Sequence, residues 1–366
     1  MKLAGFGLYR YELPLCEPLA LGGVVRHHRE GLLLELTGDG GAVGWGEASP
    51  LPGYSRESLR EAAGQLRQLA SSMVGREITE AWIAPDGDFS RELDSMDLVP
   101  SARFGFELAL WDLYAALRRR SVLDLIAPRQ GASVPVSALI SGSPDGALEE
   151  ARLARSAGYE AVKLKVGGRP LKDAIELVRA VSGELGDDVA LRLDANRAWS
   201  LQEAGRFTRG TAGLRFEYVE EPLADPALLP AFARDHGIPV ALDESLAGME
   251  PEELEGHGYA SAAVLKPTLL GGISRTLRFA EYASRLDMQS VISSTYETGV
   301  GTVALLALAA RVGGGVPAGL DTYRRLDGDV LRPRLDLPAP RVDVRAVART
   351  RREFDRSLPA YPHRMT

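Results

Sequence analysis

The spacing of hydrophobic and polar positions changes character near residue 130. Before it the pattern is mixed. Residues 32–36 (LLLEL) and 43–47 (VGWGE) read as two short strands, and the Gly-Asp-Gly-Gly run at 38–41 supplies the turn of a hairpin between them. A helical pattern opens at Ser58, with Glu61 three residues on, the spacing of a capping box. A second begins at Pro100 and Ser101 and carries Phe104, Leu108, Trp111 and Leu113 in a largely apolar run. Residues 1–128 are therefore expected to form an α+β domain.

From about residue 134, short apolar or β-branched runs alternate with amphipathic stretches, as a parallel α/β fold requires. Strands are expected at 134–140, 161–166, 189–194, 216–220, 240–243, 263–266 and 290–294, with helices between them such as 173–181, 201–208 and 274–283. Five successive strands end on a charged residue: Lys165, Asp194, Glu220, Asp243 and Lys266, at intervals of 29, 26, 23 and 23 residues. Each interval is close to one βα unit. In a barrel of parallel strands the C-terminal ends line the active site, so these five groups should converge.

Alternation along each strand sharpens the picture. In 161–166 (AVKLKV) the valines and Leu164 face the helices, and Lys163 and Lys165 both point inward. A solvated edge strand could carry such a pair without function. Inside a barrel, a like charge and a nearby metal lower a lysine's pKa and make it a usable general base. In 191–196 (LRLDAN), Arg192, Asp194 and Asn196 share the inner face. Glu220 and Asp243 follow on the next two strands. One acid at a strand end is commonly a cap or a surface group. Three in register, flanked by lysines, form an oxygen cage suited to Mg²⁺, with Mn²⁺ accepted by the same ligands. The five histidines include no HxxxH pair, so zinc is not indicated. Lys266, across the barrel from Lys165, would place a metal-bound carboxylate substrate between two lysines. That suits removal of a proton from the carbon beside the carboxylate.

A length of 366 residues fits a barrel of about 250 residues plus a smaller domain. The net charge of −7 argues against nucleic acid as the main partner. Arginines gather between Arg324 and Arg364 and read as a solvated tail. With one cysteine, Cys16, no basic-then-apolar leader and no apolar run of 18 residues, the expectation is a cytoplasmic enzyme without a membrane span. Its partner would be a small-molecule carboxylate. The surface of a barrel announces no oligomeric interface in a single sequence.

The set of Lys163, Lys165, Asp194, Glu220, Asp243 and Lys266 resembles the muconate-lactonizing-type branch of the enolase superfamily, where a lysine base works beside Mg²⁺. Further segments resemble the o-succinylbenzoate synthases within it: 44–55 (GWGEASPLPGYS), 192–199 (RLDANRAW), 265–269 (LKPTL), 292–301 (ISSTYETGVG) and 319–322 (GLDT). Thr295, Tyr296 and Thr298 depart from the serines or small apolar residues more common there. The resemblance implies a modified TIM barrel, (β/α)7β, over 129–325. It also implies an α+β capping domain over 1–128 with a mobile substrate loop near 21–29, and a segment at 326–366 packing back on either. Arg26, His27, His28 and Arg29 make that loop basic, as a dicarboxylate substrate would favour.

The activity implied is a syn-dehydration of 2-succinyl-6-hydroxy-2,4-cyclohexadiene-1-carboxylate in menaquinone biosynthesis. Lys165 would be base and then acid, Lys266 would stabilise the developing charge as a cation, and Lys163 would tune Lys165. Asp194, Glu220 and Asp243 would hold Mg²⁺. Arg192 and Asn196 would stand just behind the metal ligands or at the substrate edge, and Ser293 and Ser294 would form the pocket wall. The same lysines would equally serve an N-succinylamino acid racemase or dipeptide epimerase. Two remoter readings are a Schiff-base aldolase, which would leave the carboxylates idle, and a silent binding barrel.

Overall fold

The computed structural model describes residues 1–21, 23–84, 87–127, 133–313, 315–350 and 353–354. Three antiparallel strands, β1 (Leu3–Leu21), β2 (Val24–Gly38) and β3 (Val43–Ala48), make an N-terminal sheet in that order. The β2–β3 hairpin turns where the glycine-rich run predicts, with Leu32 opposite Ala48 and Thr37 opposite Val43. Helices Leu59–Met73 and Pro100–Leu117 pack on this sheet. Ser58 Oγ accepts the Glu61 N–H at 3.2 Å, satisfying one of the first-turn amides that a helix cannot pair internally. Pro100–Leu117 lies directly against β3 because Gly44 and Gly46 present bare backbone. A Cβ at either would run into the helix backbone at Leu113 or Gly105.

The segment at 21–29, expected as a loop, is mostly strand. The β1–β2 pairing continues out to Leu21 opposite Val24, with a bulge between Pro14 and Leu19. Hydrogen bonds across the two strands satisfy the backbone. The polar run of Arg26, His27 and His28 can thus stay extended without an apolar face to bury. Gly22 lies outside the described residues.

A short strand β4 (Ser133–Pro135) precedes seven parallel strands. These are β5 (Ala138–Ile140), β6 (Ala161–Lys165), β7 (Ala190–Asp194), β8 (Tyr218–Glu220), β9 (Val240–Leu242), β10 (Ala262–Leu265) and β11 (Gln289–Ile292), paired in sequence order. Ala318 and Gly319 close the ring, bridging Val136 on one side and Ser293 on the other. They are the eighth strand of the (β/α)7β barrel. Helices including Leu171–Leu185, Leu201–Gly210, Ile273–Arg285 and Gly299–Val312 cover its outside.

The expected strand 134–140 is split. Its first part, β4, pairs with a C-terminal strand, and only β5 enters the barrel. That C-terminal segment contributes β12 (Leu331–Arg332), β13 (Arg341–Asp343) and β14 (Glu353–Phe354). β13 pairs with β4 and β14 with β12. The Phe354 ring stacks on Trp45 of β3 with centroids 3.9 Å apart. The segment thus touches both the barrel entry and the N-terminal sheet. The expected border at 128–129 and the end of the arginine run, beyond Phe354, lie outside the described residues; the rest of that run, expected as a solvated tail, is folded, with Arg325 donating to the Leu139 carbonyl at 3.0 Å and Arg334 to that of Tyr323 at 2.6 Å.

Leu164, Leu193, Val219, Leu242 and Leu265 face outward and are buried under the helices. Full burial of each such side chain contributes roughly 1.5–3 kcal/mol. With cohesion supplied there, the lumen can carry polar groups. Low in the lumen, Tyr218, Ala241, Ala262, Val264 and Val291 pack together, and the Arg192 guanidinium lies over the Tyr218 ring at 5.3 Å.

Two buried carboxylates of the N-terminal domain seat it on the barrel. Glu107 accepts the Ile273 and Ser274 N–H groups at 2.7 and 3.1 Å, and also the Ser274 hydroxyl, at the start of Ile273–Arg285. Glu47 accepts the Thr298 hydroxyl at 2.6 Å and the Gly301 N–H at 2.9 Å at the start of Gly299–Val312. The Tyr11 hydroxyl also donates to Glu47, at 2.6 Å. Helix N-termini favour negative charge, which makes these carboxylates suitable docking points. Among the described residues no helix is long and apolar enough to cross a membrane.

Candidate active site

The barrel register brings the expected charges together. Lys165 lies opposite Asp194, and Asp194 opposite Glu220. Asp243 and Lys266 each follow the last residue of their strand. Lys163, Lys165, Asp194 and Lys266 line one cavity, while Glu220 and Asp243 are buried at its edge.

The three lysines differ in their partners. Lys163 Nζ bridges two carboxylates, 2.9 Å from Asp194 and 2.7 Å from Glu220. Burial opposes its charge, but Asp194 and Glu220 outweigh that and hold its pKa well above the ordinary lysine value. Lys266 Nζ pairs with Asp243 and donates to the Tyr54 hydroxyl at 2.8 Å. Lys165 has no hydrogen-bond or ion-pair partner among the described residues. Burial lowers its pKa; Asp194 works against that, and the like charges of Lys163 and Lys266 add to it. An unpaired lysine with a depressed pKa is the kind of group that can take a proton.

The acids are crowded. Burial and then Asp194 push the Glu220 carboxyl well above the usual range, against the pull of Lys163. Burial also acts upward on Asp243, but Lys266 and Lys163 outweigh it and bring it down to about 2. Burial and Asp243 raise Glu244 to about 7.

A further layer fixes these groups. Glu221, the neighbour of Glu220, is fully buried and turned the other way. It accepts the Asp243 N–H at 2.9 Å, the Ser245 N–H at 2.7 Å and the Arg197 Nε–H at 2.9 Å. Asn196, with φ 44°, donates its backbone N–H to Asp194 at 3.1 Å and its amide to Glu244 at 3.1 Å. Ser293 and Ser294 line the cavity wall, and Ser294 Oγ donates to Glu297 at 2.6 Å.

Arg192, expected at the substrate edge, is placed elsewhere. It does point into the barrel, but two residues before Asp194 and so one layer deeper. There it pairs with Glu217 at 2.6 Å and donates to the Pro317 carbonyl at 2.7 Å, away from the cavity. Arg29, grouped with a basic substrate loop, is buried and turned onto backbone carbonyls. Leu19 and Leu21 of the arm reach the cavity instead.

Tyr54 was not expected at the site. It comes from the N-terminal domain, donates to Asp243 at 2.5 Å and separates the cavity from an interdomain cleft of about 390 Å³. Its only trace in the sequence is its place in the 44–55 segment.

Among the described residues no group of three or more His, Cys, Asp or Glu is spaced to hold a metal ion as it stands. Lys163 contacts Asp194 and Glu220, and Lys266 pairs with Asp243, so each of the three carboxylates is engaged by a lysine. The chemistry of the set nevertheless fits a hard cation. Three carboxylates end adjacent strands in a buried site, and their mutual repulsion is visible in the raised Glu220.

Comparison with known proteins agrees with this architecture. Residues 146–353 match the family described as "Enolase C-terminal domain-like", and residues 3–113 match "MenC, N-terminal domain". The o-succinylbenzoate synthase of Pasteurella multocida is 32% identical over 349 residues, covering 93% of this chain and 95% of that protein. That of Vibrio cholerae is 34% identical over 351 residues, covering 93% and 94%. A dipeptide epimerase from Cytophaga hutchinsonii, solved in complex with Mg and a dipeptide, superposes with a TM-score of 0.84 at 21% identity, covering 98% and 97%. At that identity the likeness shows the fold. The two matched families span nearly the whole described chain, and the relatives align with it almost end to end; the chain belongs to the o-succinylbenzoate synthase family of the enolase superfamily.

Proposed function

We propose that the chain is a divalent-metal-dependent lyase that dehydrates 2-succinyl-6-hydroxy-2,4-cyclohexadiene-1-carboxylate to o-succinylbenzoate, an aromatic precursor in menaquinone biosynthesis. The observation that carries this reading is Lys165, unpaired and depressed in pKa, facing a cavity bordered by Lys266 and three buried carboxylates. Membership of a family whose relatives are o-succinylbenzoate synthases selects the substrate.

The neutral amine of Lys165 takes the C1 proton, and the electron pair left behind moves toward the substrate carboxylate. Lys266 opposes the negative charge as it develops. The pair then returns to the ring as the C6–O bond breaks. Lys165, now an ammonium, gives its proton to the departing hydroxyl on the same face, and water leaves as the ring becomes aromatic. Asp194, Glu220 and Asp243 would hold Mg²⁺ or Mn²⁺, which when bound supplies electrostatic grip on the substrate carboxylate. Lys163 keeps a positive charge beside Lys165 and so favours its neutral form. Asn196 and Glu221 orient Asp194 and Asp243. Ser293 and Ser294 offer the wall against which the succinyl arm lies.

The test is to follow loss of the diene absorbance with MgCl₂ present, using Lys165→Ala and a chelator as controls. Metal-dependent turnover lost in both controls supports the assignment. If the metal-loaded protein leaves the diene intact but exchanges the α-proton of N-succinylamino acids with solvent deuterium, the dehydratase reading fails and the racemase takes its place.

A further inference from the structure

Arg29 uses its guanidinium in an unusual way. Such a group carries five N–H donors, and here each is spent on a backbone carbonyl. Nε donates to Tyr296 at 3.1 Å, one terminal nitrogen to Glu30 at 2.8 Å and Pro50 at 2.9 Å, and the other to Ser49 and to Thr295 at 3.2 Å. No carboxylate lies within ion-pair distance of it among the described residues, and it is only 2% exposed. A buried cation without a paired anion is costly. Full satisfaction by carbonyl dipoles offsets that cost only while all three acceptor segments hold their positions.

Those segments belong to different parts of the chain. Arg29 and Glu30 are in the arm, whose Leu19 and Leu21 line the cavity. Ser49 and Pro50 lead into Leu51, also on the cavity. Thr295 and Tyr296 follow β11 and form the opposite stretch of wall. Tyr296 has φ 63°, a left-handed conformation that costs a bulky residue on the order of 1 kcal/mol or more. Both carbonyls around that strained residue are Arg29 acceptors.

We propose that Arg29 is a positioning residue that ties the arm, the 49–51 segment and the 295–296 turn into one rim of the substrate cavity. It acts on substrate only through those segments. Lysine cannot replace it, since a point charge with three rotatable donors does not reproduce the planar fork. The consequence for catalysis rests on the proposed dehydratase reading; the mechanical role does not.

The experiment compares Arg29→Lys and Arg29→Met with the native chain, and with Lys172→Gln as a control on an exposed charge of the outer helix Leu171–Leu185. Backbone hydrogen exchange is read at 49–51 and 294–297, beside KM and kcat for the cyclohexadiene carboxylate. Both Arg29 variants should lose tenfold or more of the exchange protection in these two segments. KM should rise at least tenfold with kcat changed less than threefold, and the Pro100–Leu117 helix should stay protected. Lys172→Gln should match the native chain in every readout. Unchanged protection in Arg29→Lys would overturn the proposal, and so would an equal loss of protection throughout the molecule. If the native chain does not turn over the diene, the dehydratase reading fails while exchange still decides the role of Arg29.

Discussion

The Lys266 ammonium sits 4.4 Å from the centre of the Tyr54 ring and also donates to the Tyr54 hydroxyl at 2.8 Å, although 212 residues separate the two in sequence. The capping domain thus grips a barrel lysine by a ring face and a hydrogen bond together. Tyr54→Phe keeps the ring and removes the hydroxyl. A hydrogen bond to a charged group contributes about 1.5–3 kcal/mol to stability, so the thermal midpoint should drop, and kcat/KM should fall as Lys266 and Asp243 lose the contact that positions them. Tyr54→Ala removes both grips and opens the interdomain cleft, and should lose more. Steady-state kinetics on the three proteins would reveal the order; Tyr54→Phe equal to native would remove the hydroxyl from the account.

Lys165→Ala should lower kcat by about 10²–10⁴, the usual contribution of a positioned base. Among the described residues Lys165 carries no structural hydrogen bond or ion pair, so the urea midpoint should move little. A variant that loses activity and stability together would contradict that separation.

The same residue sets a pH dependence. Its amine must be neutral to take a proton, so activity is present above its pKa and lost as pH falls through it. The depressed value puts this acid limb below the ordinary lysine pKa of about 10.4. A pH–kcat/KM profile measured with saturating metal would locate the limb. A limb at or above that ordinary value would argue that Lys165 is not the base.

Asp112 gives a stability effect of known sign. Burial raises its carboxyl to about 6, although it accepts the Trp45 N–H at 2.9 Å. As pH rises from about 4 to 6, the unfolded chain has released this proton while the folded chain still holds it. The Asp112 contribution to stability therefore falls across that window and is level above it. Asp112→Asn should make the fall with pH shallower and be more stable than native at pH 8 by roughly 3 kcal/mol. Urea unfolding at pH 4 and pH 8 would check both statements.

Glu107→Ala should cost about 2–4 kcal/mol, because it strips the first turn of Ile273–Arg285 of a buried acceptor and leaves Arg103 with Asp94, at 2.7 Å, as its remaining carboxylate. Glu107→Gln, which keeps an acceptor, should cost less. Equal effects would mean that charge at the helix start, and not the hydrogen bond, seats the domain.

Much of the site could be read from strand alternation, for a physical reason. Period-two spacing tells which face a side chain takes, and the βα interval tells where a strand ends; together they locate Lys163, Lys165 and Asp194. The same rule says nothing of depth. Arg192 shares a face with Asp194, yet two residues of rise at about 3.3 Å each carry it into the layer of Tyr218 and Glu217. Segments that lack a core face were harder. The arm at 24–28 looks like loop because it has no buried apolar face, and even Val24 and Val25 stand exposed. Tyr54 and Glu221 gain their roles from contacts that only the closed barrel and the seated domain create.

The arm has a consequence for how such a protein can change over generations. The groups that move protons are anchored in barrel strands held by aliphatic side chains on their outer faces, whereas Leu19 and Leu21, at the mouth, hang from the end of a two-stranded ribbon in the other domain. Substitutions near that end disturb little of the hydrophobic interior. A duplicated gene could therefore drift there, admitting differently shaped carboxylates while inheriting the proton-transfer apparatus intact. The limit to such drift would be Arg29, beyond which the ribbon is no longer free to vary.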